Sequence, residues 1–189
     1  MKILFFDVET TGLDPKLHEI IQLAYILDVD GVPVLERSRF LRPLKPYNVT
    51  VDALSMQGRT MEQVLAFPHP FEAYTHFLDD LGAHIDKYDK TDKAAPCAYN
   101  APFDVSFLLS WFEQLNDPYL GSWIDLRRLL DPMPVLRMMD SVYPSGLQDF
   151  KLATVARHFN IDLTAHDALS DVRALRGIYY RTIQGIKAP

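Results

Sequence analysis

The sequence predicts one α/β domain over residues 1–189, built on a mixed central β-sheet whose first three strands form an antiparallel meander flanked by helices. Two observations lead there. Segments of β character come first, and helical periodicities alternating with a short strand follow, the order expected of a layered α/β structure. No Gly/Ser tract, single-sign charge block or internal repeat divides the chain, and its 48% apolar and 12% aromatic content supports one substantial core.

Lys2 to Glu9 is apolar and rich in β-favouring residues, so it reads as a strand. Glu19 to Asp28 carries the run IIQLAYIL, and Asp30-Gly31 is a hairpin signal leading into a third strand, Val32 to Leu41. Pro43, Pro46 and Asn48 mark a loop, and Val51 to Gly58 is a short apolar segment after it. A helical pattern runs from Thr60 to about Lys87, interrupted by Pro68 and Pro70. Ala94 to Tyr99 is a short strand, followed by a helix from Asn100 to Leu115 with Pro102 in its first turn. The stripe Phe107, Leu108, Trp111, Phe112 and Leu115 has helical spacing and is read as core, not as a base-stacking platform. Trp123 to Leu130 is ambiguous. Asp131 to Ser145, with three prolines, reads as an irregular connection, while Leu147 to Phe159 and Asp167 to Ile183 read as amphipathic helices.

Several classes are excluded by composition. No segment approaches the roughly 18 apolar residues needed to span a membrane. The run Ile3 to Phe6 is too short for a signal peptide and is broken by Asp7 and Glu9. The single cysteine, Cys97, rules out an internal disulfide, fits a reducing compartment, and reads as a small apolar residue of a buried strand. A cytoplasmic location is therefore expected. The net charge of −6 argues against a broad, sequence-reading DNA surface. An enzyme gripping only a few terminal nucleotides needs little basic area, and the charge is compatible with that.

Four short stretches carry candidate chemistry. In Asp7-Val8-Glu9, alternate strand residues point to one face about 6–7 Å apart along the chain, so two carboxylates project together. Without a cation they repel and one must stay protonated; a bound divalent ion resolves the conflict. Thr10-Thr11-Gly12 then forms a tight exit where backbone N–H groups and hydroxyls can meet a ligand. In NAPFD, Asn100 to Asp104, Asn100 is placed to cap a helix and Asp104 lies in the first turn, where the helix dipole favours a carboxylate. In HDALSD, His166 to Asp171, positions five apart on one helix diverge by about 140°, so they converge only if His166 precedes the helix. Asp167 and Asp171 share a helical face, and spacing alone does not decide which binds metal. The fourth stretch, VDALSMQG at Val51 to Gly58, means little by itself.

Together DVETTGL, NAPFD and HDALSD, in this order and at these separations, resemble the motifs of the DEDDh 3′→5′ exonucleases. That family includes the proofreading subunit of the bacterial replicative polymerase, ribonuclease T and oligoribonuclease, and the resemblance covers nearly the whole chain. It implies a ribonuclease H-like fold and phosphodiester hydrolysis that releases nucleoside 5′-monophosphates from the 3′ end of DNA. Asp7, Glu9, Asp104 and Asp171 look like the ligands of two divalent cations, Mg²⁺ or Mn²⁺, and His166 looks like the general base. Asp167 then becomes a helix-starting residue. The related tyrosine subclass has Tyr four residues before its last Asp, where this chain has Asp167, so the histidine subclass is implied.

Single-stranded DNA is the expected partner, with RNA the alternative and a non-catalytic metal-binding interaction module a third reading of another class. No polymerase or other protein partner is assigned. Thr10, Thr11, Gly12 and Asn100 are candidate substrate contacts, and Leu13, Met56 and Phe103 are candidates to pack on the terminal base. Two departures bear on substrate preference. Gln57-Gly58-Arg59 replaces a familiar His-Gly-Ile, and Tyr99 replaces a familiar His. The Gln57 amide, able to donate and accept near a 2′ position, predicts some tolerance of RNA ends.

Overall fold

The computed structural model describes residues 1–164 and 167–187, so His166 lies outside the described residues. Among the described residues four strands form one sheet: β1 (Lys2–Thr10), β2 (Ile20–Val29), β3 (Val32–Phe40) and β4 (Ala95–Cys97), in the order β3-β2-β1-β4. The first three make the expected antiparallel meander, and β4 adds parallel to β1 on its other edge. Asp30 and Gly31 both take positive φ, 52° and 83°, as the tight turn between β2 and β3 requires. Among the described residues seven α-helices surround the sheet: α1 (Val51–Met56), α2 (Met61–Leu65), α3 (Pro70–Gly82), α4 (Ala101–Gln114), α5 (Pro132–Val142), α6 (Leu152–His158) and α7 (Ala168–Lys187). Among the described residues no helix is long and apolar enough to cross a membrane.

Strand alternation sorts the core into two layers. Leu4, Phe6 and Val8 of β1 face one side, packing with Phe77 of α3 and Phe107, Trp111 and Phe112 of α4. The predicted aromatic stripe of α4 is thus core. Ile3 and Phe5 face the other side, against Val172, Leu175 and Tyr179 of α7. By the same period of two, Asp7 and Glu9 lie on the α7 face, continuing an apolar row into an acidic end.

Three segments differ from expectation. Asp131 to Ser145 is largely helix, because Pro132 and Pro134 fall in the first turn of α5, where no intrahelical N–H bond is lost. Asp131 caps it, accepting from the Met133 N–H at 3.0 Å. The predicted helix Leu147 to Phe159 shrinks to α6. Leu147 and Phe150 still pack against the cluster of Leu136, Val155, Ala156, Ala174 and Ile178, so their apolar character reflects docking and not a helical face. The ambiguous Trp123–Leu130 segment is a broken strand beside β4: Asp125 N–H donates to Ala94 O at 2.9 Å and Leu130 N–H to Pro96 O at 2.9 Å, with a 3-10 turn at Leu126–Arg128 between them.

Candidate active site

The site forms where β1 outruns its neighbour. β4 pairs only with Ile3–Phe5, leaving the later part of that edge of β1 without a ladder partner from β4. The first turn of α4 fills the gap: the Asp104 carboxylate accepts from the Val8 N–H at 3.1 Å. Asp104 is held there from behind. Asn100 takes a left-handed backbone (φ 64°) and makes no capping bond with its side chain, contrary to expectation. Asp131 caps α4 instead, accepting from Ala101 N–H at 2.9 Å and Asn100 N–H at 3.3 Å, so one carboxylate ties together the starts of α4 and α5.

From the opposite side α7 delivers Asp171. Asp7, Glu9 and Asp171 each offer a carboxylate oxygen, and these atoms lie within 4.8 Å of one another. Asp167 stands apart: it is exposed, and its carboxylate accepts from Leu169 N–H at 3.2 Å, the bond of a helix-starting residue. Geometry thus separates two aspartates that spacing could not.

The electrostatics of the cluster are those of too many acids in too little water. The Asp7 carboxyl is pushed well above the usual carboxylate range, first by burial and then by Asp104, Asp171 and Glu9. Burial also raises Asp104, to about 7; the Val8 N–H pulls against this, while Asp131 and Glu9 add to it. Asp7 and Asp104 are thus raised by burial and by neighbouring acids, and the all-oxygen donor set of the cluster suits a hard divalent cation.

Beside Glu9 opens a cleft of about 690 Å³. Thr10, Gly12, Leu13, Met56, Gln57 and Phe103, six of the candidate substrate contacts, line it. Thr11 does not: it is buried, and it closes the β1–β2 loop by bonding Glu19 through both its N–H and its hydroxyl. Asn100 does not line it either. The cleft wall opposite β1 is α1, which is fastened to the strand exit: Thr50 caps α1 and its hydroxyl donates to Thr11 O at 3.0 Å. Sequence reasoning missed His18, whose ring packs against Gly12 so closely that a Cβ there would fall 2.5 Å from it. The loop that brings His18 back carries no local signal for that contact.

Both departures from the family pattern have structural accounts. Tyr99 donates its hydroxyl to Phe150 O at 2.6 Å and holds the 147–151 segment. Arg59 stacks over Phe40 and Phe67 (4.7 and 5.3 Å to the ring centroids) and donates to Gln22 at 3.0 Å, serving packing away from the cleft.

A mixed sheet thus presents paired strand carboxylates at one end, with Asp171 of one flanking helix beside them and Asp104 of another bonded to the same strand. The chain belongs to the exonuclease family of the DnaQ-like, DEDDh type: the family model RNase_T, described as exonuclease, matches residues 4–179. Similar proteins include DNA polymerase III PolC-type of Halalkalibacterium halodurans, 27% identical over 184 residues and 97% of this chain. That of Staphylococcus haemolyticus is 26% identical over 183 residues and 96% of this chain. The chain spans 11% of the length of these relatives. Among solved structures, exonuclease I from Methylocaldum szegediense superposes with a TM-score of 0.78 at 19% identity, covering 98% of this chain and 41% of that one. The zinc-bound E. coli exonuclease I–ssDNA complex gives 0.73 at 24%, with coverages of 98% and 41%. These likenesses bear out the ribonuclease H-like fold.

Proposed function

We propose that this chain is a single-domain 3′→5′ exonuclease that releases nucleoside 5′-monophosphates from DNA, acting on single-stranded ends. One observation carries the reading: carboxylates of β1 and α7 converge within 4.8 Å, and one of them, Glu9, also lines a cleft of about 690 Å³. Asp7, Glu9, Asp104 and Asp171 would hold two divalent cations, Mg²⁺ or Mn²⁺ by the hardness of their oxygens. When bound, such a pair supplies Lewis acidity at the scissile phosphate and lowers the pKa of water.

The chain's own residues do the rest. Leu13, Met56 and Phe103 offer apolar surface to the terminal base, and Gly12 admits close approach of the sugar. His166 is proposed as the base that takes the proton from the attacking water. Single-stranded DNA is favoured because E. coli exonuclease I, of the same fold, is known in complex with dA16 and dT13 oligonucleotides, and because the PolC-type relatives are DNA polymerases. A reducing, cytoplasmic setting is proposed from the lone Cys97.

The test is cleavage of 5′-labelled DNA and RNA oligonucleotides of matched sequence, with Mg²⁺, Mn²⁺ or EDTA. Stepwise shortening from the 3′ end of DNA, abolished by EDTA, is expected. Binding without EDTA-sensitive cleavage would favour the non-catalytic module, and faster cleavage of RNA would move the enzyme to RNA turnover.

A further inference from the structure

Asp104 reaches the site through a closed frame of backbone. β1 pairs with β4 at Ile3–Phe5, and β4 in turn pairs with the 124–130 segment, where Cys97 lies opposite Leu130. Leu130 N–H donates to Pro96 O at 2.9 Å and Ala98 N–H to Leu130 O at 3.2 Å, so this ladder fixes where the next residue, Asp131, begins. The chain leaving β4 meanwhile turns into α4. From the first turn of that helix Asp104 comes back to β1, accepting from the Val8 N–H at 3.1 Å.

Asp131 is the link that closes the frame. Its Oδ2 accepts from Ala101 N–H at 2.9 Å, and its Oδ1 from Asn100 N–H at 3.3 Å and Met133 N–H at 3.0 Å. One carboxylate thus stands at the positive ends of two helices, where its charge is favoured. Few other hydrogen bonds hold the start of α4. Pro102 has no N–H to give, Asn100 makes no side-chain cap, and the Phe103 N–H turns back to Asn100 O at 3.0 Å. Asn100 itself sits in the left-handed region (φ 64°, ψ 48°), a conformation that persists where neighbouring contacts impose it. Asp104 lies three residues beyond Ala101, so any tilt of this turn carries its carboxylate away from Val8.

We infer that Asp131 is a positioning residue for Asp104: by gripping the first turn of α4 it keeps the Asp104 carboxylate at the end of β1, ready to serve as a cation ligand. This rests on the exonuclease reading above. Asp131 acts on the reaction through Asp104, since its own oxygens are committed to backbone N–H groups. Serine separates this role from simple helix capping. In Asp131→Ser a hydroxyl can still cap α5 at the Met133 N–H, but one short oxygen leaves Ala101 and Asn100 unheld.

The experiment compares wild type and Asp131→Ser, at a temperature where circular dichroism shows both folded. It measures kcat and KM on 5′-labelled single-stranded DNA in Mn²⁺, and equilibrium Mn²⁺ binding without DNA. Asp131→Ser is expected to lower kcat by about 10- to 100-fold with KM within about threefold, and to weaken Mn²⁺ binding by about tenfold. Asp104→Ala should also weaken Mn²⁺ binding, and adding Asp131→Ser to it should weaken binding by no more than about a further twofold, because the two act on one path. Wild-type kcat and Mn²⁺ binding in folded Asp131→Ser would overturn the inference and leave the exonuclease reading intact. So would an equal loss of Mn²⁺ binding from Asp131→Ser with and without the Asp104 carboxylate. If Asp131→Ser does not fold, Asp131→Asn, which keeps one acceptor oxygen and replaces the other with a donor, is read by the same outcomes. No EDTA-sensitive cleavage by the wild type would instead sink the exonuclease reading itself.

Discussion

Carboxylates at the two ends of this sheet are treated in opposite ways. Asp28, near the end of β2, is fully buried, and Arg176 of α7 meets both its oxygens at 2.9 Å while the Tyr180 hydroxyl donates at 2.7 Å. Arg176 also reaches Gly31 O at 3.0 Å, so this acid pins α7 to the β2–β3 hairpin. Asp7, Glu9, Asp104 and Asp171 sit toward the last residues of β1, and the charged neighbours that shift Asp7 and Asp104 are other acids. A buried acid answered by arginine is structure. Asp7 and Asp104, raised by burial and by neighbouring acids, belong to the group proposed to hold a cation.

The contrast breaks most sharply at the acidic cluster. Asp7→Ala or Glu9→Ala is expected to abolish cleavage while the protein stays folded, since removing a repelling carboxylate relieves the metal-free state. Unchanged rates in Mg²⁺ for either variant would refute the assignment. Next comes His166→Ala, expected to lower kcat by about 10²–10⁴-fold with metal affinity and substrate Kd nearly unmoved, the signature of a lost general base. Equilibrium binding of Mn²⁺ and of oligonucleotide beside the kinetics separates that from a lost ligand.

Asp28→Ala should show the reverse pattern. Stranding Arg176 is expected to cost about 3 kcal/mol of unfolding free energy, read by urea denaturation, while the folded fraction keeps its metal response. A variant that lost metal binding but not stability would invert the comparison. The smallest effect is Asp167→Ala, about 0.5–2 kcal/mol from the lost helix-start bond, with little change in cleavage. If that variant were dead and Asp171→Ala active, the metal ligand would be one helical turn away from where it is proposed.

Much of this contrast was legible in the sequence. Period-two alternation put Asp7 and Glu9 together at the end of an apolar strand, and the ordered motifs named Asp104 and Asp171. The meander and its Asp30-Gly31 turn were equally plain. What stayed hidden depends on partners far along the chain. The stabilising role of Asp28 needs Arg176, 148 residues away, and the double cap by Asp131 needs the start of α4, about 30 residues upstream. Prolines misled at α5 because the same residue that breaks a helix interior is welcome in its first turn. Thr11 is a ligand candidate because a tight strand exit presents its N–H and hydroxyl, whereas Glu19 returns to engage both. The fixed direction of the Gln57 amide follows from a carbonyl 47 positions earlier.

Melting of the protein in EDTA across pH, with and without Mn²⁺, bears most directly on whether the acidic cluster holds a cation. In the unfolded chain Asp104 releases its proton near 3.8, whereas in the fold it keeps it up to about 7, and Asp7 is raised in the same sense. Between those values the folded state binds more protons than the unfolded one, so stability is present at low pH and is lost as pH rises through about 7. Without metal, Tm should therefore fall from about pH 5 to about pH 7.5; Mn²⁺ should restore it at the higher pH, and the restoration should vanish in Asp7→Ala. A metal-free Tm that does not fall over this range, together with no response to Mn²⁺ at pH 7.5, would contradict a cation site at the end of β1.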